Sequence, residues 1–258
     1  MRTLTLNDDE YLIPGNWDEL TAGQLLFLVY LLEKNITPEE MKVKMLLHCM
    51  GARVAKYKPP YFTVKVKRKK YDLTAEELTV MGGIFDYLFI EEKGKVSLNP
   101  LLVKNPFPVI RCGLTKLYGP ADGLADFTYQ RFSDLLVYQT RIEKSEGDLN
   151  NFLSILYRRK NGKESDKVSG IPKRKKTVIL WFYLGCMKFM QEKYPITFSG
   201  NGEKPDDIYQ WQLRVIDALA DGKLADVEAV KQSELYRALV RMEVAAENVE
   251  KMQDNTFS

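Results

Sequence analysis

Five times along the chain, a Ser or Thr stands just before a run of apolar residues at helical spacing. Any fold of this sequence must therefore start helices at those points. Thr21 is followed by Gln24, Thr37 by Pro38 and Glu40, and Thr74 by Glu77, while Thr128 opens a fourth run and Ser145 with Asp148 a fifth. A hydroxyl there accepts an otherwise unpaired amide of the first turn, and an acidic or amide side chain three residues on can reach back. Leu25, Leu28, Val29, Leu31 and Leu32 supply the first apolar face, ending near Asn35. Met41, Met45, Leu46 and Cys49 supply the second, with Gly51 as a stop. Residues 17–51 thus form a helical hairpin.

A second hairpin is expected over 127–162, its apolar face made by Leu149, Phe152, Leu153, Leu156 and Tyr157. The two hairpins share their spacing: Thr21 and Thr37 match Thr128 and Ser145 at offsets of 107 and 108. An internal repeat, and two capped hairpins that merely look alike, both fit this match. Val178–Met190 is the most apolar stretch. It is short for a membrane span, which takes about 20 residues, so it reads as a buried helix, or alternatively as a helix lying on a membrane surface. A turn at Gly200-Asn201-Gly202 precedes a last helical pair, over 208–219 and 225–252. A break near Ser233 and a frayed tail at 254–258 are expected.

Residues 53–103 have a different texture. Phe62, Val64 and Val66 alternate with polar residues, the period of a half-buried strand. Thr74 opens a helix through Leu78, Met81, Phe85, Leu88 and Phe89, and Val96–Leu98 is a candidate partner strand. Residues 105–126 are rich in Pro and Gly and read as turns. The expected fold class is mainly α: capped helical hairpins, with a pseudo-repeat as one reading, plus a small α+β insert. The corresponding segments are 1–52, 53–104, 105–200 and 201–258.

Catalytic chemistry finds little footing. The 258 residues, 45% of them apolar, can bury a core without staples. Cys49, Cys112 and Cys186 are odd in number and widely spaced, which argues against disulfides. His48 is the one histidine, too few for a zinc site or for the usual nucleophile–base pairs. Glu39-Glu40 and Asp206-Asp207 are adjacent carboxylates at helix starts, where the helix dipole favours them. No phosphate-loop or nucleophile-elbow motif occurs. The expectation is a non-enzyme with no cofactor, no metal and no small-molecule ligand. The opening MRTLTLNDDEYLIPG lacks a signal-peptide run, so a cytoplasmic location with no membrane partner is expected.

Charge is more informative. The net charge is only +3, yet residues 53–70 carry eight cations and no acid, and residues 158–176 carry nine cations against Glu164 and Asp166. The remainder of the chain is therefore at −12. Candidate contacts for a partner or for phosphate are Lys67, Arg68, Lys69, Lys70, Arg158, Arg159, Lys160, Lys173, Arg174, Lys175 and Lys176. Three readings fit: phosphate contacts with Tyr57, Tyr61, Phe62, Tyr71 and Tyr157 as stacking neighbours; solvated loops and strand edges guarded by lysine; or a latch for an acidic partner or another copy of the chain.

Leu-Tyr-Gly-Pro-Ala-Asp-Gly-Leu at 117–124, Asp-Phe-Thr-Tyr-Gln-Arg-Phe at 126–132 and Leu-Tyr-Arg-Arg at 156–159, with Trp-Asp-Glu-Leu-Thr at 17–21, resemble a group of little-characterised proteins from phages and prophages of Bacteroidetes. The resemblance covers about a third of the chain. It departs at Arg158-Arg159, where the group has Tyr-Arg-Pro. It implies a virion structural or tail-assembly role, with other phage structural proteins or further copies as partners, and a place in the host cytoplasm or the virion. It supplies no catalytic residue. The functional expectation is protein–protein docking, with nucleic-acid binding through the two basic segments as the alternative.

Overall fold

In the computed structural model, which describes residues 1–198 and 208–256, the expected helix starts are built from the expected hydrogen bonds. Thr21 accepts the Gln24 amide at 3.3 Å, and Gln24 accepts the Thr21 amide at 2.8 Å. Thr74 and Glu77 make the same reciprocal pair. Thr37 caps the Glu40 amide at 3.2 Å, but the Glu40 carboxylate pairs with Lys44 instead of reaching back. Thr128 and Ser145 cap Arg131 and Asp148. Each cap is worth about 1 kcal/mol.

The chain forms two compact units, Met1–Pro106 with Pro172–Gly185, and Phe107–Ile171 with Cys186–Ser258. The first begins with a hairpin of β1 (Arg2–Leu6) and β2 (Asp9–Ile13), turning at Asn7 with φ +54°. A 3₁₀ turn, Trp17–Glu19, leads to α1 (Ala22–Leu32) and α2 (Pro38–Cys49). Then come β3 (Ala52–Lys58), β4 (Tyr61–Val66) and β5 (Lys69–Thr74), an antiparallel meander with β4 in the centre. α3 (Ala75–Gly82) packs on α2, passes into a 3₁₀ turn (Gly83–Leu88), and is followed by the hairpin β6 (Phe89–Glu92) and β7 (Lys95–Leu98). Trp17, Leu25, Leu28, Met45, Val64, Phe85 and Leu88 are buried. Residues 172–185, the first part of a long helix, add Val178, Ile179 and Phe182. Trp17 meets Trp181 edge to face at 5.7 Å. Asp18 holds the returning loop by accepting the Val103 and Lys104 amides, both at 2.7 Å.

The second unit repeats that opening order. A hairpin of β8 (Val109–Cys112) and β9 (Thr115–Tyr118) precedes a 3₁₀ turn, Asp122–Leu124, and then α4 (Tyr129–Gln139) and α5 (Glu146–Leu156). Arg131, over the Phe127 ring at 3.9 Å, donates to the Ile155 and Leu156 carbonyls at 2.9 and 3.1 Å and so closes the end of α5. The long helix is α6 (Lys173–Lys193), followed by α7 (Pro195–Phe198), α8 (Ile208–Leu219), α9 (Leu224–Gln232) and α10 (Leu235–Thr256). The expected break at Ser233 separates α9 from α10. Gln212 and Ser133 form a buried reciprocal pair at 2.6 and 2.8 Å. Glu243 accepts both first-turn amides of α7 and the Thr197 hydroxyl; burial works against its charge, but these three bonds outweigh it and lower its pKa.

The fold class differs from the expectation. The described residues give 54% helix and 20% strand, in four small antiparallel sheets, which makes this a mixed α/β protein and not a mainly α one with a small insert. Two of the sheets, β1–β2 and β8–β9, lie outside residues 53–104. The physical reason is length. Strands of four or five residues show barely two periods of alternation, and the 105–126 segment hides a hairpin behind its turn residues. β3 and β5 were hidden differently, as charge. The apolar 178–190 stretch lies inside α6 and is mostly buried. Among the described residues, no helix is long and apolar enough to cross a membrane. The expectations at Gly200–Gly202 and Asp206-Asp207 lie outside the described residues; the helix at the C-terminus continues to Thr256.

Gly185 shows how closely α6 is approached. A Cβ there would sit 2.3 Å from the Leu102 carbonyl oxygen and 2.5 Å from its nitrogen. Backbone cannot move aside as a side chain can, so Gly185→Ala is expected to cost about 3 kcal/mol of stability in a urea titration. Arg131→Met, which strands two carbonyls, is expected to cost about 2 kcal/mol.

Candidate functional site

The meander sorts its residues by face, because neighbouring side chains on a strand point opposite ways. Phe62, Val64 and Val66 of β4 pair across with Tyr57, Val54 and Ala52 of β3, and with Leu73, Tyr71 and Lys69 of β5. Val64, Val66 and Tyr71 of this inner face are buried. The other face carries three cross-strand rows: Arg53, Lys65 and Lys70; Lys56, Thr63 and Asp72; Lys58, Tyr61 and Thr74. All but Thr63, Lys65 and Thr74 are exposed. Five cations therefore share this surface with one acid, Asp72, which accepts the Thr63 hydroxyl at 2.6 Å. At the sheet tip Tyr57 stacks on Phe62 at 4.5 Å.

The cations expected at 67–70 divide in the same way. Lys67 and Arg68 form the β4–β5 turn, Lys67 with φ +52°. Lys69 faces inward and pairs with Asp9 of the N-terminal hairpin; Tyr71 donates to the same carboxylate at 2.5 Å and shares a 2.8 Å hydrogen bond with Tyr11. These bonds, from Lys69 first and then Tyr71, lower the Asp9 pKa, and the Asp9 bond raises that of Tyr71. Lys70 faces outward.

The second basic segment is divided between the units. Lys173–Lys176 lie in the first turn of α6, in the first unit. Arg174 makes a bidentate pair with Glu33 (2.7 Å at its closest) and lies 5.1 Å over the Tyr30 ring. Lys173 is exposed, Lys175 half-buried and Lys176 buried at 7% exposure. Arg158, Arg159 and Lys160 belong to the second unit. Arg158 pairs with Glu164 at 3.1 Å, and its backbone bridges Tyr118. Arg159 reaches Ser165 at 3.4 Å, and Lys160 is exposed.

Next to the meander, α1, α2 and the start of β3 enclose a concavity of about 660 Å³. It is lined by the half-buried Phe27, Tyr30 and Leu47 and by the exposed His48 and Val54, with the Phe27 and His48 rings stacked at 4.0 Å. Lys34, Lys44 and Arg53 line it as well, Lys34 lying 5.0 Å over Tyr30. Partial burial lowers the His48 pKa and raises that of the Cys49 thiol to about 12. Sequence reasoning missed this concavity; its one local signal was the aromatic pair Phe27 and Tyr30 on the exposed side of α1. A second concavity, about 500 Å³, lies in the second unit, where Asp221, Asp226, Arg237 and Arg241 mix charge signs. Among the described residues, no cluster of three His, Cys, Asp or Glu side chains could hold a metal ion.

Two pH dependences follow. Asp9 has a lowered folded pKa, so its contribution is present at neutral pH and is lost as pH falls through the carboxylate range, about 4 and below. Asp9→Asn is expected to lower stability at pH 7 and to flatten that acid limb in denaturant titrations. Partial burial lowers the folded His48 pKa, so wild-type stability is expected to drop as pH falls below about 6.5, the ordinary imidazole value. His48→Gln removes that slope.

Comparison with protein-family models, with curated proteins and with solved structures finds no match to this chain.

Proposed function

We propose that the protein is a non-enzymatic assembly protein that works by docking a partner chain, in the manner of phage virion structural or tail-assembly proteins. The observation that carries this reading is the concavity between α1, α2 and β3. It combines an aromatic and aliphatic lining with Lys34, Arg53 and the Glu40-paired Lys44. Interface centres favour buried aromatics, while surrounding charge sets partner choice and encounter rate. The fitting occupant is an acidic segment of a partner protein with one or two apolar anchors. Val54, 48% exposed on the free rim, and the Phe27–His48 stack supply the apolar contact. The resemblance of residues 117–132 and 156–159 to phage proteins supports the particle context.

Co-expression with the products of neighbouring structural genes tests the proposal. Wild-type protein is expected to co-purify with an acidic neighbour. Lys34→Glu combined with Val54→Asp, both at exposed positions, is expected to weaken the complex at least ten-fold without lowering the thermal midpoint. A chain that stays monomeric beside every neighbour, or a complex indifferent to the double variant, overturns it.

A further inference from the structure

We infer that the outer face of the β3–β4–β5 meander binds single-stranded nucleic acid, at a site that meets the docking concavity at Arg53. The argument rests on where Lys65 stands. Lysines on edge strands are commonly explained as guards against edge-to-edge pairing, and that accounts for Arg53, Lys56, Lys58 and Lys70. It does not account for Lys65, which lies on the central strand with both backbone edges already paired. Register places Arg53 directly opposite Lys65 on one side and Lys70 directly opposite on the other. Cβ atoms in such pairs are about 5 Å apart, and like charges there are destabilising. None of the three has an acidic partner within salt-bridge distance among the described residues. The neighbouring Lys69, one residue from Lys70, differs: although exposed, it is neutralised by an ion pair with Asp9. A row of three unneutralised cations on a folded sheet is retained at a cost, and an external polyanion is what repays it.

The rest of the face narrows the polyanion. Lys56 and Lys58 continue the positive surface along β3, at two-residue steps of about 7 Å. Tyr61, 48% exposed, stands on β4 between Lys58 and Thr74. Cations that track a phosphate backbone beside an aromatic ring on an open sheet form the recurrent platform for single strands, whose unstacked bases can lie on the ring. An acidic polypeptide would use the cations but has no need of Tyr61.

The test is fluorescence anisotropy of the full chain with a labelled 20-nucleotide oligothymidylate, titrated across potassium chloride concentrations. Neutralising four or five phosphates gives a slope of log affinity against log salt of about −3. Lys65→Gln with Lys70→Gln is expected to reduce that slope by about 1.4, to weaken binding ten-fold or more, and to leave the thermal midpoint unchanged or raised, because it relieves like-charge repulsion. A purely structural role for these lysines predicts the opposite shift. Tyr61→Ala is expected to weaken binding about ten-fold with the slope unchanged, and Lys69→Gln, on the inner face, to alter it less than two-fold. Absence of binding at low salt, affinity unaffected by the double variant, tighter binding of a duplex of equal length, or equal competition by poly-glutamate would overturn the inference.

Discussion

A strand's two-residue period ties what is buried to what is displayed, and in the first unit the rest follows from that coupling. Burying Val64, Val66 and Tyr71 against the helices leaves Lys65 and Lys70 no direction but outward, in register with Arg53. A one-residue slip would put the cations into the core, so the register is held by the largest energies available to the sheet. Tyr71 adds a polar anchor on the inner face, through Asp9 and Tyr11, and so links the N-terminal hairpin to the meander. The positive face is therefore fixed in register with the buried one.

The second unit is held by a different device, long-range polar contacts, one of them fully buried and the others half-buried. Gln212 and Ser133 satisfy each other across 79 residues of sequence, and Glu243 caps α7 from α10. Arg131 spends its guanidinium on the carbonyls that end α5. Buried polar groups of this kind stabilise when they are paired, as Gln212 and Ser133 are with each other. They make cations such as Arg131 structural, although nothing in their spacing distinguishes them from surface cations.

The helix starts were legible because capping is local. Thr21 finds its partner three residues away, and so do Thr74 and Ser145. Most strands were not legible. β1, β2, β8 and β9 have four or five residues each, too few for alternation to stand out. β5 was visible only as part of a basic run. Reading Lys67–Lys70 as one patch was natural from composition; the turn at Lys67 and the pleat after it divide those residues between a turn, an inner ion pair and an outer face. Lys173–Lys176 divide likewise, with Arg174 tied to Glu33 and Lys176 buried.

By itself, the sequence determined where the five Ser- or Thr-capped helices begin, that the Val178–Met190 stretch is helical, and that positive charge gathers in two segments; it placed Lys173–Lys176 in a loop, and they form the first turn of α6. Those properties depend on neighbours within about four residues. Tertiary structure alone decided that the protein is a mixed α/β one, which cations are neutralised, and that a concavity forms beside β3. Those depend on register and on partners as far apart as Glu33 and Arg174, and no local spacing encodes which distant residue will stand opposite.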